Sequence, residues 1–121
     1  MLDPEVVAVH GQEVRRGSVV VASLLMLRTP GYGYGLLEAL ADAGFAVEAN
    51  TLYPLLRRLE KQGLLVSEWN TDESRPRKFY RTSAAGEELA TSLLREWTAL
   101  GRSLDALDRG TAPPTTEGGA P

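Results

Sequence analysis

The chain contains no cysteine and a single histidine, His10. The first absence excludes disulfides and thiolate metal sites and leans towards an intracellular setting. The second excludes a histidine-cluster metal site within one chain. Together they leave little with which to build a nucleophile, a base or a metal centre, so catalysis is not expected and no cofactor is implied. Long apolar runs are missing too. The best, "VVVASLLML" from Val19 to Leu27, is about half of the roughly 18 residues of a membrane span. No charged-then-apolar leader opens the chain. The expectation is a cytoplasmic protein with no membrane partner.

What is present fits one ordinary domain: 121 residues, of which 43% are hydrophobic, can furnish a small but real core. The net charge of −3 argues against indiscriminate binding to polyanions. Its distribution says something different. Between Tyr53 and Arg81 lie seven of the thirteen cations against four acids, whereas the rest of the chain holds six cations and twelve acids. A local basic surface on an otherwise acidic protein can bind phosphates selectively, although an ordinary solvated helix face has the same composition.

Read in order, Met1 to Gln12 fits either a short helix or an ordered arm. Ser18 is placed to cap a helix over Val19 to Arg28 whose apolar residues run nearly all round, which predicts burial. "TPGYGYG", Thr29 to Gly35, breaks that helix and reads as a tight turn. It lacks the spacing of a phosphate-binding P-loop. A second helix is predicted over Tyr34 to Ala43, with Gly44 as its stop.

The most informative stretch is "NTLYPLLRRLEKQGLL", residues 50 to 65. With Asn50 as cap, Pro54 falls in the first turn, where helix N–H groups have no partner and a proline loses nothing. Leu52, Leu55, Leu56 and Leu59 recur at helical spacing and form one core-facing stripe. Thr51, Tyr53, Pro54, Arg57, Arg58 and Lys61 are left to the outer faces, and Gly63 ends the helix. Strands over Leu64 to Trp69 and Arg77 to Thr82, joined by the polar "NTDESRP", make a basic hairpin. Trp69 is expected to pack this hairpin onto the domain. Ser83 then caps a long helix from Ala84 to about Leu107, and a tail rich in Pro, Gly and Thr follows.

The predicted fold is therefore mainly α with a small β-hairpin wing: a winged helix-turn-helix plus a long C-terminal helix. In that arrangement the third helix enters the major groove of double-stranded DNA, and cations near its end and in the wing meet phosphates.

The residues that carry this reading also resemble a family. "GYG" at Gly33 to Gly35, "TLYPLLRRLEKQGLL" at Thr51 to Leu65 and "RKFYRTSAAG" at Arg77 to Gly86 resemble the PadR family of transcriptional regulators, over roughly residues 15 to 107. The resemblance implies a dimeric repressor whose final helix mediates dimerisation. It puts Tyr34, Thr51, Tyr53 and Pro54 at or near the DNA backbone and makes Arg75, Arg77 and Lys78 phosphate contacts. Gly35 stands where the family usually has an acid, which weakens the start of the second helix, and Ala84 and Ala85 replace acids common after the cap. The expected organisation is an N-terminal arm or short helix over 1–14, a winged-helix domain over 15–82, a dimerisation helix over 83–108 and a disordered tail over 109–121.

A homodimer can also be argued from the residues. Ala90, Leu93, Trp97, Leu100, Leu104 and Leu107 are spaced 3, 4, 3, 4, 3, a heptad seam. Packing of that face on its own domain is the plainer alternative. Some small PadR members hold flat hydrophobic effectors between interface aromatics, so Trp97 is a candidate effector contact as well as a candidate core residue. A two-fold dimer would bind a palindromic or pseudo-palindromic operator. The competing reading is a winged-helix module that binds proteins rather than specific DNA. The discriminator is whether Arg57 and Arg58 both stay exposed in a dimer on the same face as Arg77 and Lys78, which favours DNA, or pair with Glu60, Glu68 or other acids, which does not.

Overall fold

The computed structural model describes residues 1–72 and 74–110. Five helices and three short strands follow in the order α1 (Pro4–Arg16), α2 (Ser18–Met26), β1 (Gly31–Tyr32), α3 (Gly33–Asp42), α4 (Ala49–Lys61), β2 (Leu65–Asn70), β3 (Arg77–Thr82) and α5 (Ala84–Asp108). The chain divides into two units, residues 1–90 and a second that begins at Thr91. Positions 111–121, most of the expected disordered tail, lie outside the described residues.

The first unit is built round leucines. Leu24 of α2, Leu40 of α3, Leu52 and Leu56 of α4 and Leu65 of β2 are fully buried, and Leu36, Leu59 and Tyr80 are nearly so. Each buried leucine contributes about 1.5–3 kcal/mol relative to exposure. The stripe predicted on α4 is the one observed, with Leu52, Leu55, Leu56 and Leu59 all buried. α2 is buried as its all-round apolar character requires, down to Ser18 and Ser23.

Two helix ends follow the glycine signals. Gly44 (φ 97°) and Gly63 (φ 79°) adopt the left-handed conformation that glycine tolerates. The N–H groups of Phe45 and Leu64 then turn back to the carbonyls of Leu40 and Leu59 at 2.7 and 2.9 Å, closing α3 and α4 in the same way. At the start of α5, Ser83 Oγ accepts the Gly86 N–H at 3.0 Å and donates to the Gly63 carbonyl at 2.6 Å. The cap thus also ties α5 to the end of α4.

Several local expectations need correction. Of the two readings of the N-terminal segment the helix holds, extended over residues 4–16, and its N-cap is Asp3, which accepts the Glu5 N–H at 2.9 Å. Ser18 does not cap α2: the chain arrives from α1 through Gly17, itself in helical conformation, and Ser18 Oγ donates instead to the Arg15 carbonyl at 2.6 Å. α4 begins two residues early, at Ala49 with Glu48 as its N-cap, and the N–H groups of Thr51 and Leu52 both bond the Glu48 carbonyl at 2.9 Å. Asn50 therefore lies within the first turn and is not the cap. Pro54 consequently sits inside the helix, where it removes the N–H that would reach the Asn50 carbonyl. "GYGYG" is more than a turn, since Gly31 and Tyr32 pair antiparallel with Tyr80 and Phe79, giving a three-stranded sheet in the order β1-β3-β2. Trp69 does not pack the wing down; it is 63% exposed, although alternation puts it on the face of β2 that carries the buried Leu65 and meets α4 through Ser67.

Two glycines test this packing. A Cβ on Gly86 would lie 2.2 Å from the Leu64 carbonyl oxygen, whereas one on Gly35 would meet nothing within 4 Å. Gly86→Ala should lower the thermal midpoint sharply, by the equivalent of about 2 kcal/mol or more. Gly35→Ala should raise it by the equivalent of about 0.5–1 kcal/mol. Melting curves at matched protein concentration check both, and equal midpoints for the two variants would contradict the packing.

Candidate nucleic-acid interface

With the leucine stripe of α4 turned inward, helical periodicity assigns the other faces. Asn50, Pro54, Arg57 and Lys61 lie opposite the stripe, and all four are exposed. Tyr53 and Glu60 lie on one flank, Thr51 and Arg58 on the other.

The flank of Tyr53 meets α3 and the sheet. The Tyr53 ring covers Gly33 so closely that a Cβ there would come within 2.7 Å of it. Tyr34, one residue on, is 63% exposed. Its phenol is raised above the ordinary value, first by a hydrogen bond with the Glu38 carboxylate and then by that carboxylate's charge. It therefore stays a neutral hydroxyl through physiological pH.

Glu60 joins α4 to the wing. It accepts a hydrogen bond from the Ser67 hydroxyl on β2 and one from Lys78 Nζ on β3, the latter at 3.1 Å. The Ser67 bond, followed by Lys78, lowers the Glu60 carboxyl, and Glu60 in turn raises the Lys78 ammonium. Lys78, expected as a phosphate contact, is thus half-buried and neutralised within the chain. Arg77 lies over the Tyr32 ring, 4.0 Å from its centroid. The Tyr32 hydroxyl accepts the Asn70 side-chain amide at 2.7 Å, and its ring meets Phe79 edge-on at 6.0 Å. Asn70 and Arg77 are cross-strand partners, so one residue of β1 anchors both wing strands at the same level. The sequence gives no sign of this role for Tyr32, because a two-residue strand leaves no periodic trace. Arg75 is exposed.

The flank of Thr51 and Arg58 faces a cleft of about 470 Å³ whose other wall is the α1–α2 junction, including Arg15 and Arg16. Arg57 and Arg58 are both exposed, and neither forms an ion pair among the described residues. On α5, Leu93 is half-buried. Trp97, Leu100, Leu104 and Leu107 are 45–64% exposed. Ala90 is fully buried within the single chain. It therefore drops out of the predicted seam, because no surface of it remains for a second chain to touch.

A three-helix core with a recognition-type helix, followed by a β-hairpin wing, defines a winged helix-turn-helix DNA-binding protein. Comparison with known proteins narrows the class. The profile described as "Transcriptional regulator PadR-like family" matches residues 23–92. The transcriptional regulator Rv3488 of Mycobacterium tuberculosis is 40% identical over 73 residues, covering 60% of this chain and 68% of the relative. A PadR family transcriptional regulator from Eggerthella lenta shares the fold with a TM-score of 0.82 and 47% identity, over 85% of this chain and 92% of that one. A transcriptional regulator from Clostridium thermocellum aligns with a TM-score of 0.70 and 27% identity, over 77% and 95% of the two chains. The chain belongs to the PadR-like family of transcriptional regulators; it is a regulator and not an enzyme. Among the described residues no helix is long and apolar enough to cross a membrane.

The Glu60 clamp gives a signed pH dependence. A carboxyl lowered by folding stabilises fully above the ordinary glutamate range, about 4.3, and that contribution is lost as pH falls through its lowered folded value. Lys78, raised by folding, stabilises fully below its ordinary value and loses its contribution only as pH climbs through the raised one. The stability difference between wild type and Glu60→Gln, measured by urea unfolding, should hold across neutral pH and shrink below about pH 4. A difference that stays constant down to pH 3 would remove the clamp.

Proposed function

We propose that this chain is a homodimeric, cytoplasmic repressor that places α4 of each subunit in the major groove of a palindromic or pseudo-palindromic operator. The observation that carries the DNA reading is the outer face of α4, where Arg57 and Lys61 stand exposed with no ion pair among the described residues. Asn50 on the outer face meets the DNA, phosphates are held by Arg57, Arg58, Lys61, Arg75 and Arg77, and Tyr34, Thr51, Tyr53 and Pro54 lie at or near the backbone. Lys78 acts here through the wing it holds.

Dimerisation is supported by the apolar row Trp97, Leu100, Leu104 and Leu107, exposed on α5. A row of this size left in water costs about 25 cal/mol per Å² of apolar surface, which a second copy would recover. The two-fold operation sets the two α4 helices roughly 34 Å apart, one turn of DNA. Trp97 gives the row its one large aromatic, and a flat hydrophobic effector stacked against it is the releasing signal we assign. Such a ligand acts by changing the angle between the two heads.

The test is selection of bound sequences from a random duplex pool. Enrichment of a two-fold symmetric motif is expected. A folded, dimeric sample that enriches nothing, with and without aromatic effector candidates, would turn the reading towards the protein-binding alternative. On an enriched duplex, Arg57→Ala with Lys61→Ala should weaken binding and reduce the slope of log affinity against log salt by about 0.9 for each phosphate no longer neutralised. Leu100→Glu with Leu104→Glu should give a monomer of unchanged helix content in sedimentation. A dimer surviving both charges would relocate the interface.

A further inference from the structure

The two flanks of α4 are unequally furnished. The Tyr53 flank has Tyr34 and the wing beside it, whereas the Arg58 flank borders neither. Yet a helix with its side chains is about 10–12 Å across and the major groove about 12 Å wide. A helix lying in that groove has a phosphate strand along each flank.

Along the Arg58 flank lies the cleft between α4 and the α1–α2 junction. Its floor is apolar, with Val19 and Leu55 6% and 9% exposed. Its lining brings together three guanidiniums, Arg15, Arg16 and Arg58, against one carboxylate, Glu48. Arg15 and Arg58 have no ion pair among the described residues. Arg16 pairs with Glu13 at 3.1 Å, but the two side chains are 71% and 55% exposed, and a pair so exposed to water is weak and readily exchanged. Thr51 adds a hydroxyl at the α4 side of the cleft. Arginines contributed by two elements line this cleft, and a guanidinium suits the oxygens of a phosphodiester, which it can bind through two parallel hydrogen bonds. The cleft has room for a sugar–phosphate unit.

We propose that this cleft seats a backbone phosphate of the DNA strand bordering α4 on the side away from the wing, held by Arg15 and Arg58 with Arg16 as a flanking cation. The proposal rests on the DNA-binding reading above and adds a second strand to it. It also gives the N-terminal helix a role in DNA binding, although α1 lies outside the span matched by the family profile. Recognition helix and N-terminal helix are then bridged by one phosphate, so the α4 pose in the groove depends on where α1 sits.

The test uses the full chain and a duplex enriched by selection from the random pool. Binding is followed by fluorescence anisotropy across a salt series and by ethylation interference on each strand. Arg15→Ala with Arg58→Ala should reduce the salt slope by about 0.9, the value for one phosphate. It should also abolish interference at a phosphate on the wing-distal strand. Arg15→Lys with Arg58→Lys should restore most of the slope. Arg95→Ala with Arg102→Ala, on α5, removes equal charge elsewhere and should leave the interference pattern intact. Thermal midpoints should match wild type, since both cleft side chains are exposed. If the alanine pair keeps the wild-type slope and pattern while Arg57→Ala with Lys61→Ala loses slope, this inference fails and the DNA reading stands. If wild type binds no duplex, both fail.

Discussion

Everything at the candidate interface depends on the burial of one face of α4. Leu52, Leu55, Leu56 and Leu59 leave the helix no freedom to rotate, because any turn about its axis would bring leucines into water and cations into the core. Fixing that face decides the other three at once: Asn50, Arg57 and Lys61 look outward, Tyr53 and Glu60 look to α3 and the wing, and Arg58 looks to the α1–α2 junction. The hydrophobic core is thus also the device that aims the charges.

The wing is held to this helix by polar contacts. Glu60 reaches both wing strands through Ser67 and Lys78, and Tyr32 holds the far end of the hairpin through Asn70 and Arg77. Two anchors at different levels fix both the distance and the tilt of a short hairpin, which on its own would be marginal in water. The cost is one cation, since Lys78 cannot both neutralise Glu60 and neutralise DNA. Close backbone approaches complete the arrangement. Gly33 lets the Tyr53 ring come close against α3, and Gly86 lets the start of α5 press on the Leu64 carbonyl. Both glycines fall in the segments that carry the family resemblance, and the packing explains why a side chain would be out of place there.

Much of this is legible in the residues. The leucine stripe, the glycine stops at Gly44 and Gly63, the Ser83 cap and the β3 strand are local signals, each read within one or two turns of chain, and each stands in the structure as expected. The departures also have local causes. Asn50 is a better capping residue than Glu48, yet the helix starts from the Glu48 carbonyl, because the leucine stripe sets where the helix must lie and its first turn extends back to meet the loop. Size alone favours a covered Trp69, and alternation does put it on the face of Leu65, but that cover ends before the tip of the hairpin, so Trp69 stays exposed.

The kind of protein was legible in the residues alone: periodicity and caps outline a winged helix-turn-helix, and the dense motif at residues 51–65 carries the resemblance to the PadR family. The tertiary structure alone decided which charges are available. Lys78 meets Glu60 across 18 positions of chain and Asn70 meets Tyr32 across 38. Ala90, in step with the exposed row of α5, is buried. Periodicity reports which side of an element a residue occupies. Whether that side meets a carboxylate, a core or water is set by elements distant in sequence, whose positions follow from packing the whole chain.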